Sequence, residues 1–196
     1  QDGLNCFAML ENVKQVETEN KKSTLVYSEG ESTNAGSALT FHEKDDTYKI
    51  MQEACNALAE YADSVGAYFA VETGPEKADM LKEFLDGLSA KGVRVNLDPA
   101  NLILYGKANP VDAIYQFGDL LKELHAKDGH YPTDPYYLGQ EVKIPEGKVN
   151  FPAVVKALKD IGFKGVMTIE CELGGDNTDY VLKTKKYLED LIENTK

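Results

Sequence analysis

The chain is poor in basic residues: 21 Lys and Arg stand against 33 Asp and Glu, a formal net charge of −12. A partner bound through its phosphate backbone needs cationic neutralisation, so this balance argues against nucleic acid. Cysteine is scarce as well. Cys6, Cys55 and Cys171 are odd in number, far apart and without CxxC spacing. A disulfide framework is therefore not expected, and a reducing cytoplasm is the better setting. Cys171 reads as a small buried filler in a strand. No run approaches the roughly 20 apolar residues of a membrane-spanning helix, and no apolar stretch behind a basic start reads as a signal peptide. The chain opens on Gln1 rather than Met, which reads as a processed, trimmed or incomplete beginning. With 42% apolar and 28% charged residues over 196 positions, one sizeable core is expected, and residues 1–196 read as a single domain.

From residue 45 onward the pattern alternates between helix-like and strand-like periods. Met51, Cys55, Leu58, Ala62 and Val65 recur at three- and four-residue spacing behind a cap at Asp45 or Asp46, and Gly66 ends that run. Leu81, Phe84, Leu85 and Leu88 mark a second helix that stops near Gly92. Pro110 opens a third, which carries Val111, Ile114 and Tyr115. A long polar loop is expected from Asp128 to Asn150, then a helix from Phe151 to Ile161 and a last helix from about Asp179 to Ile192. The short apolar runs between these helices predict strands, and Pro99 is expected to close the strand before it. Residues 1–44 are less regular: Leu10, Val13 and Val16 hint at a short helix, and Ser23–Ser28 reads as a strand. Strands alternating with helices imply parallel pairing with helices outside, a (β/α)8 barrel type with about five βα units recognisable.

Four of the runs end in residues able to hold a metal ion: Glu72, Asp98, His125 and Glu170, at intervals of 26, 27 and 45 residues. In parallel α/β folds the functional loops lie at the C-terminal ends of strands, so the four point to one site. Alone, each has a plainer reading: a solvated loop acid, a turn cap, a structural histidine, an outward strand residue. Together, two Glu, one Asp and one His form a hard, mostly oxygen donor set suited to Mn²⁺, Mg²⁺ or Co²⁺, with Zn²⁺ also accommodated. Such an ion can hold adjacent sugar oxygens, and carboxylates beside it can move a proton on carbon. Asn101, Lys127 and Asp128 lie close enough in sequence to contact a substrate or orient the ligands. Gly174-Gly175-Asp176 before the last helix reads as a flexible turn, with a phosphate site as the alternative, and His42-Glu43 as a cap or exposed pair.

Those residues sit in segments that resemble the xylose-isomerase-like TIM-barrel superfamily, the sugar phosphate isomerase/epimerase group. The matching stretches are VETGPE (71–76), NLDPANLILYG (96–106), HAKDG (125–129), EGKVNFPAVVKALKDIGFKGVMTIE (146–170) and KTKKYLEDLI (183–192). The resemblance implies a divalent-metal site on Glu72, Asp98, His125 and Glu170, with Glu72 and Glu170 doubling as the catalytic proton-transfer pair. It covers about residues 45–196, the C-terminal portion of the family's barrel, and implies that the first three βα units are missing. Some relatives carry a His where this chain has Asn101, a departure that weakens a multinuclear zinc site and a DNA-repair role. The implied activity is sugar isomerisation or epimerisation through an enediolate. A keto-inositol lyase and a non-catalytic sugar-binding or partner subunit are the alternatives. The implied partners are a small sugar and either a second copy or another chain that completes the barrel wall, with no membrane.

Overall fold

Residues 46–196 are described by the computed structural model. The helix expected near residues 10–16, the strand at 23–28 and the His42-Glu43 pair lie outside them. Helix α1 (Asp46–Ser64) begins with an acid in its first turn, favourable at the positive end of the helix dipole. It buries Cys55, Ala59 and Ala62. The small side chains let it lie close on the strands, so close that a Cβ at Gly92 would stand 2.1 Å from the Ala59 carbonyl oxygen. Only glycine fits there, and its own carbonyl accepts the Phe69 N–H at 2.8 Å, starting the first strand pair.

Strand β1 (Phe69–Glu72) leads to α2 (Ala78–Asp86), whose Leu81, Phe84 and Leu85 are buried at the spacing read from the sequence. Strand β2 (Val93–Leu97) runs into a short helix α3 (Pro99–Leu104). Pro99 had been expected only to end the strand. It also opens this helix, because its missing N–H costs nothing in a first turn and Asp98 caps the amides that follow. Helix α4 (Pro110–Phe117) starts the same way, with the Asn109 side chain accepting from Val111 N. A 3₁₀ turn (Gly118–Leu120) then delivers β3 (Leu121–Ala126).

The stretch expected as a long polar loop contains an antiparallel pair, β4 (Asp128–His130) with β5 (Gln140–Val142). Three-residue strands carry too little alternation to stand out from a polar loop. Helix α5 (Phe151–Asp160), strand β6 (Val166–Ile169) and helix α6 (Thr178–Asn194) complete the described residues.

The main sheet has the order β1-β2-β3-β6, and every pairing is parallel. Each strand of this sheet leads to a helix, β3 by way of the β4–β5 hairpin, the α/β arrangement of a TIM-type barrel wall. Side chains alternate across the sheet, so its two faces have different chemistry. Val95, Leu97, Leu124 and Ala126 are fully buried in the aliphatic core, together with residues of the helices such as Ile114, Phe151 and Val154. The positions between them are Glu72, Asn96, Asp98, Glu123, His125 and Thr168, all on the opposite face. Register lines up Glu72 with Asn96, Asn96 with Glu123, and His125 with Thr168, so the polar residues form a continuous surface. Cys171, expected as a buried filler, is only half-buried, because it lies two residues beyond the end of strand β6. Among the described residues no helix is long and apolar enough to cross a membrane.

Candidate metal centre

The ends of the four parallel strands bring Glu72, Asp98, His125 and Glu170 together. One ligand atom from each can be chosen so that all four lie within 4.8 Å of one another. Donors on opposite sides of an ion with bonds of about 2.1 Å stand about 4.2 Å apart. An inward shift of a few tenths of an ångström would therefore close the set around one cation.

Each residue is fixed by its local chain. Thr73, immediately after β1, donates its hydroxyl to the Asp98 carbonyl at 3.1 Å and accepts the Asp98 N–H at 2.9 Å, which locks the ends of β1 and β2 together. Asp98 is fully buried. Its Oδ1 accepts from Ala100 N at 2.7 Å and Asn101 N at 3.1 Å, as an N-cap does. Its Oδ2 has no hydrogen-bond partner and stands 4.0 Å from Lys127 Nζ. A buried carboxylate oxygen without a donor is costly unless something positive meets it. Glu170 repeats the motif: its N–H extends the ladder to the Ala126 carbonyl, and its Oε2 also lacks a hydrogen-bond donor. That Oε2 sits 2.6 Å from His125 Nδ1, a close ion-pair contact not aligned as a hydrogen bond. His125 Nδ1 instead reaches Glu72 Oε1 at 3.1 Å. Two carboxylate oxygens without donors, one of them 2.6 Å from the imidazole nitrogen, within a cluster of four ligand residues fit a divalent cation.

The electrostatics point the same way. Burial lifts the Asp98 carboxyl to about 7, against the opposing pull of Lys127 and its capping amides. Burial works against a charged His125, but the contacts with Glu170 and Glu72 outweigh it and raise the imidazole to about 10. The same His125 contact holds Glu170 down at about 2, with burial opposing and Lys127 assisting. From the protein groups alone, protons and an ammonium balance the carboxylates that a cation would otherwise neutralise.

Of the other residues singled out from the sequence, two reach this centre. Asn101 donates from Nδ2 to the Thr73 carbonyl at 3.0 Å and, more weakly, to Glu72 Oε1 at 3.4 Å. Lys127 is buried; its Nζ lies 3.0 Å from Glu170 Oε1 and also binds Glu172 Oε2. Burial disfavours its charge, but Glu172, Asp98 and Glu170 raise its pKa nonetheless. Asp128 does not join them. It is fully buried, and its oxygens accept from Gly129 N, Val149 N and Gly147 N at 2.8–3.0 Å, which ties down the loop between β5 and α5. Both of its oxygens are engaged by backbone amides. In the Gly174-Gly175-Asp176 turn the Asp176 carboxylate accepts from Thr178 N and Oγ1 at the start of α6, so that helix end already faces an anion.

Three contributors did not stand out in the sequence. Asn96 is buried inside β2 with Nδ2 3.0 Å from His125 Nε2. Glu172 supports Lys127, and Glu141 of β5 accepts the Glu172 N–H at 2.9 Å, joining the hairpin to the site. Period-two spacing from Asp98 and Glu170 is the signal that puts Asn96 and Glu172 on the ligand face.

A family model described as Xylose isomerase-like TIM barrel matches residues 24–191. A xylose isomerase domain protein from Planctomyces limnophilus superposes with a TM-score of 0.70 at 28% identity, covering 77% of this chain and 54% of that one. A xylose isomerase-like TIM barrel protein from Mycobacterium smegmatis, solved in complex with magnesium, gives 0.63 at 18% identity, over 76% of this chain and 52% of the other. An L-ribulose 3-epimerase gives 0.63 at 16% identity, over 76% and 55%. At such identities the last two likenesses speak for the fold. The chain spans about half the length of each of these structures.

Proposed function

Because this chain belongs to the xylose isomerase-like TIM barrel family, we propose that it is a divalent-metal-dependent isomerase or epimerase of a sugar or sugar derivative. The observation that carries this reading is the convergence of Glu72, Asp98, His125 and Glu170 at four adjacent strand ends. These four would hold the ion. When bound, a divalent cation supplies Lewis-acid stabilisation of negative charge on a carbonyl or hydroxyl oxygen. The donor set favours manganese, with magnesium, cobalt and zinc as substitutes.

The protein groups do the proton chemistry. Glu72 ends β1 and Glu170 follows β6, the two outer strands of the four-stranded sheet, so the carboxylates approach from opposite sides. One removes a proton from the carbon beside the sugar carbonyl; the other delivers a proton to the enediolate. Return to the opposite face of the same carbon inverts it, and return to the neighbouring carbon isomerises the sugar. With the protein groups alone, Glu170 is ionised at neutral pH, the state in which a carboxylate accepts a proton. Lys127 and Asn101 offer N–H donors for substrate oxygens, while Asp128 ties down the segment that carries Gly147 and Val149. A cytoplasmic setting, and a second copy or partner chain completing the wall, belong to the same reading.

The test is solvent exchange. A manganese-loaded sample incubated with ketoses in deuterated water should incorporate deuterium at the carbon beside the carbonyl, and Glu170→Gln should abolish incorporation. If wild-type protein binds no divalent ion, or binds one and exchanges no proton in any ketose or keto-polyol, the proposal fails.

A further inference from the structure

Beneath the four ligands lies a second polar layer that the proton chemistry leaves unused: Asn96, Glu123 and Thr168, on the same sheet face. Glu123 and Thr168 are joined by a 3.3 Å hydrogen bond. Asn96 instead faces the far nitrogen of a ligand. Its Nδ2 lies 3.0 Å from His125 Nε2, and its Oδ1, also buried, has no partner. Both residues are more than nine-tenths buried, so solvent does not readily relieve either group.

The ring atom turned toward the carboxylates is Nδ1, 3.1 Å from Glu72 and 2.6 Å from Glu170. A neutral imidazole that ligates a cation through Nδ1 keeps its single hydrogen on Nε2. An N–H on Nε2 needs an acceptor, and an amide N–H at 3.0 Å is the wrong group. Half a turn of the Asn96 amide exchanges two atoms of nearly equal size and places Oδ1 there. The exchange satisfies Nε2–H and the orphaned Oδ1 together, at no cost in volume.

We infer that Asn96 is a positioning residue for the metal centre: its carbonyl oxygen accepts the Nε2–H of His125 and thereby fixes the tautomer that presents Nδ1 to the ion. The inference rests on the metal-site reading above. Metal-ligating histidines are held in this way by carboxylates or carbonyls, and loss of such a partner costs about 10–100-fold in metal affinity. Here a side-chain amide from the strand that ends in Asp98 takes that part, so one strand supplies a ligand and the orientation of its neighbour.

The full chain labelled with ¹⁵N-histidine is titrated with Zn²⁺, which is diamagnetic, and the two His125 ring nitrogens are followed by NMR. Manganese affinity is measured in parallel by calorimetry. In wild-type protein, metal should move the Nδ1 resonance and leave the hydrogen on Nε2. Asn96→Leu, matched in size but without an acceptor, should weaken Mn²⁺ binding at least about tenfold and lose the single tautomer. Asn96→Asp keeps an oxygen at the same place and should retain the Nε2–H form, which shows that a folded site rather than general damage is being read. If Asn96→Leu binds Mn²⁺ as tightly as wild type with the tautomer unchanged, the inference is overturned. If wild-type protein binds through Nε2, the inference falls while the metal site stands. If it binds no ion, both fall.

Discussion

The two faces of the four-stranded sheet are built from the same strands by alternate residues, yet they do different work. One presents Val95, Leu97, Leu124 and Ala126, all without solvent exposure, to the core it shares with the helices. The other presents Asn96, Asp98, Glu123, His125 and Lys127, buried but polar or charged. Parallel strands are usually apolar on both sides because both are covered by apolar groups. The departure from that habit in this chain is confined to one face and is continuous across strands. Burial on the helix face stabilises the fold; burial on the polar face costs stability and makes the carboxylates reactive toward a cation.

The comparison can be broken from either side. The largest effect is expected on the helix face: Leu124→Ala should lower unfolding free energy by about 2–5 kcal/mol, read by urea denaturation, because it leaves a cavity in a core with no exposure. If the folded fraction still binds manganese like wild type, the two faces are separable. Next comes Lys127→Met, which removes the ammonium 3.0 Å from Glu170. Without added metal it should destabilise by about 1–3 kcal/mol, since it leaves carboxylates unpaired. Manganese should restore much of that loss, and the affinity for the ion should rise because a competing cation has gone.

The dependence on pH is the third lever. His125 keeps its second ring proton up to about 10 and Asp98 its carboxyl proton up to about 7, and each must lose that proton to ligate. Manganese affinity should therefore rise with pH. The slope should be about tenfold per unit between the two values, where one proton is displaced, and steeper below the Asp98 value, where two are. Calorimetry near pH 8 in buffers of different ionisation enthalpy should detect about one proton released per ion bound. Glu170, already ionised above about 2, adds nothing to this slope. The smallest effect is expected at the rim. Asn101→Ala loses one 3.0 Å and one 3.4 Å hydrogen bond and should cost about 0.5–1.5 kcal/mol of stability.

The helix face was legible because its signal is repetitive. Leu81, Phe84 and Leu85, or Val154, Val155 and Leu158, keep one side of a helix apolar through successive turns, and burial follows that spacing. The four ligands were legible for a different reason: each is a polar residue at the end of a mostly apolar run, at or within one residue of the end of a strand. What did not show depends on a residue serving two purposes or on a partner distant in sequence. Pro99 both ends a strand and starts α3, and Asp98 both caps that helix and offers Oδ2 to the site. Asp128 stands next to Lys127 in sequence, but its oxygens are consumed by backbone amides 1, 19 and 21 residues away. Asn96 lies inside an apolar run, and its role depends on an imidazole 29 residues later. Periodicity reports which face a residue occupies, but the partner it meets there depends on strand order.

Isothermal titration of the full chain with Mn²⁺, beside Glu170→Gln and His125→Ala, tests whether Glu72, Asp98, His125 and Glu170 form one metal site. Wild-type protein should bind one ion per chain, and binding should be lost or weakened at least about a hundredfold in both variants while their circular dichroism stays that of the wild type. Absence of binding in the wild type, or binding undiminished in both variants, would contradict that assignment.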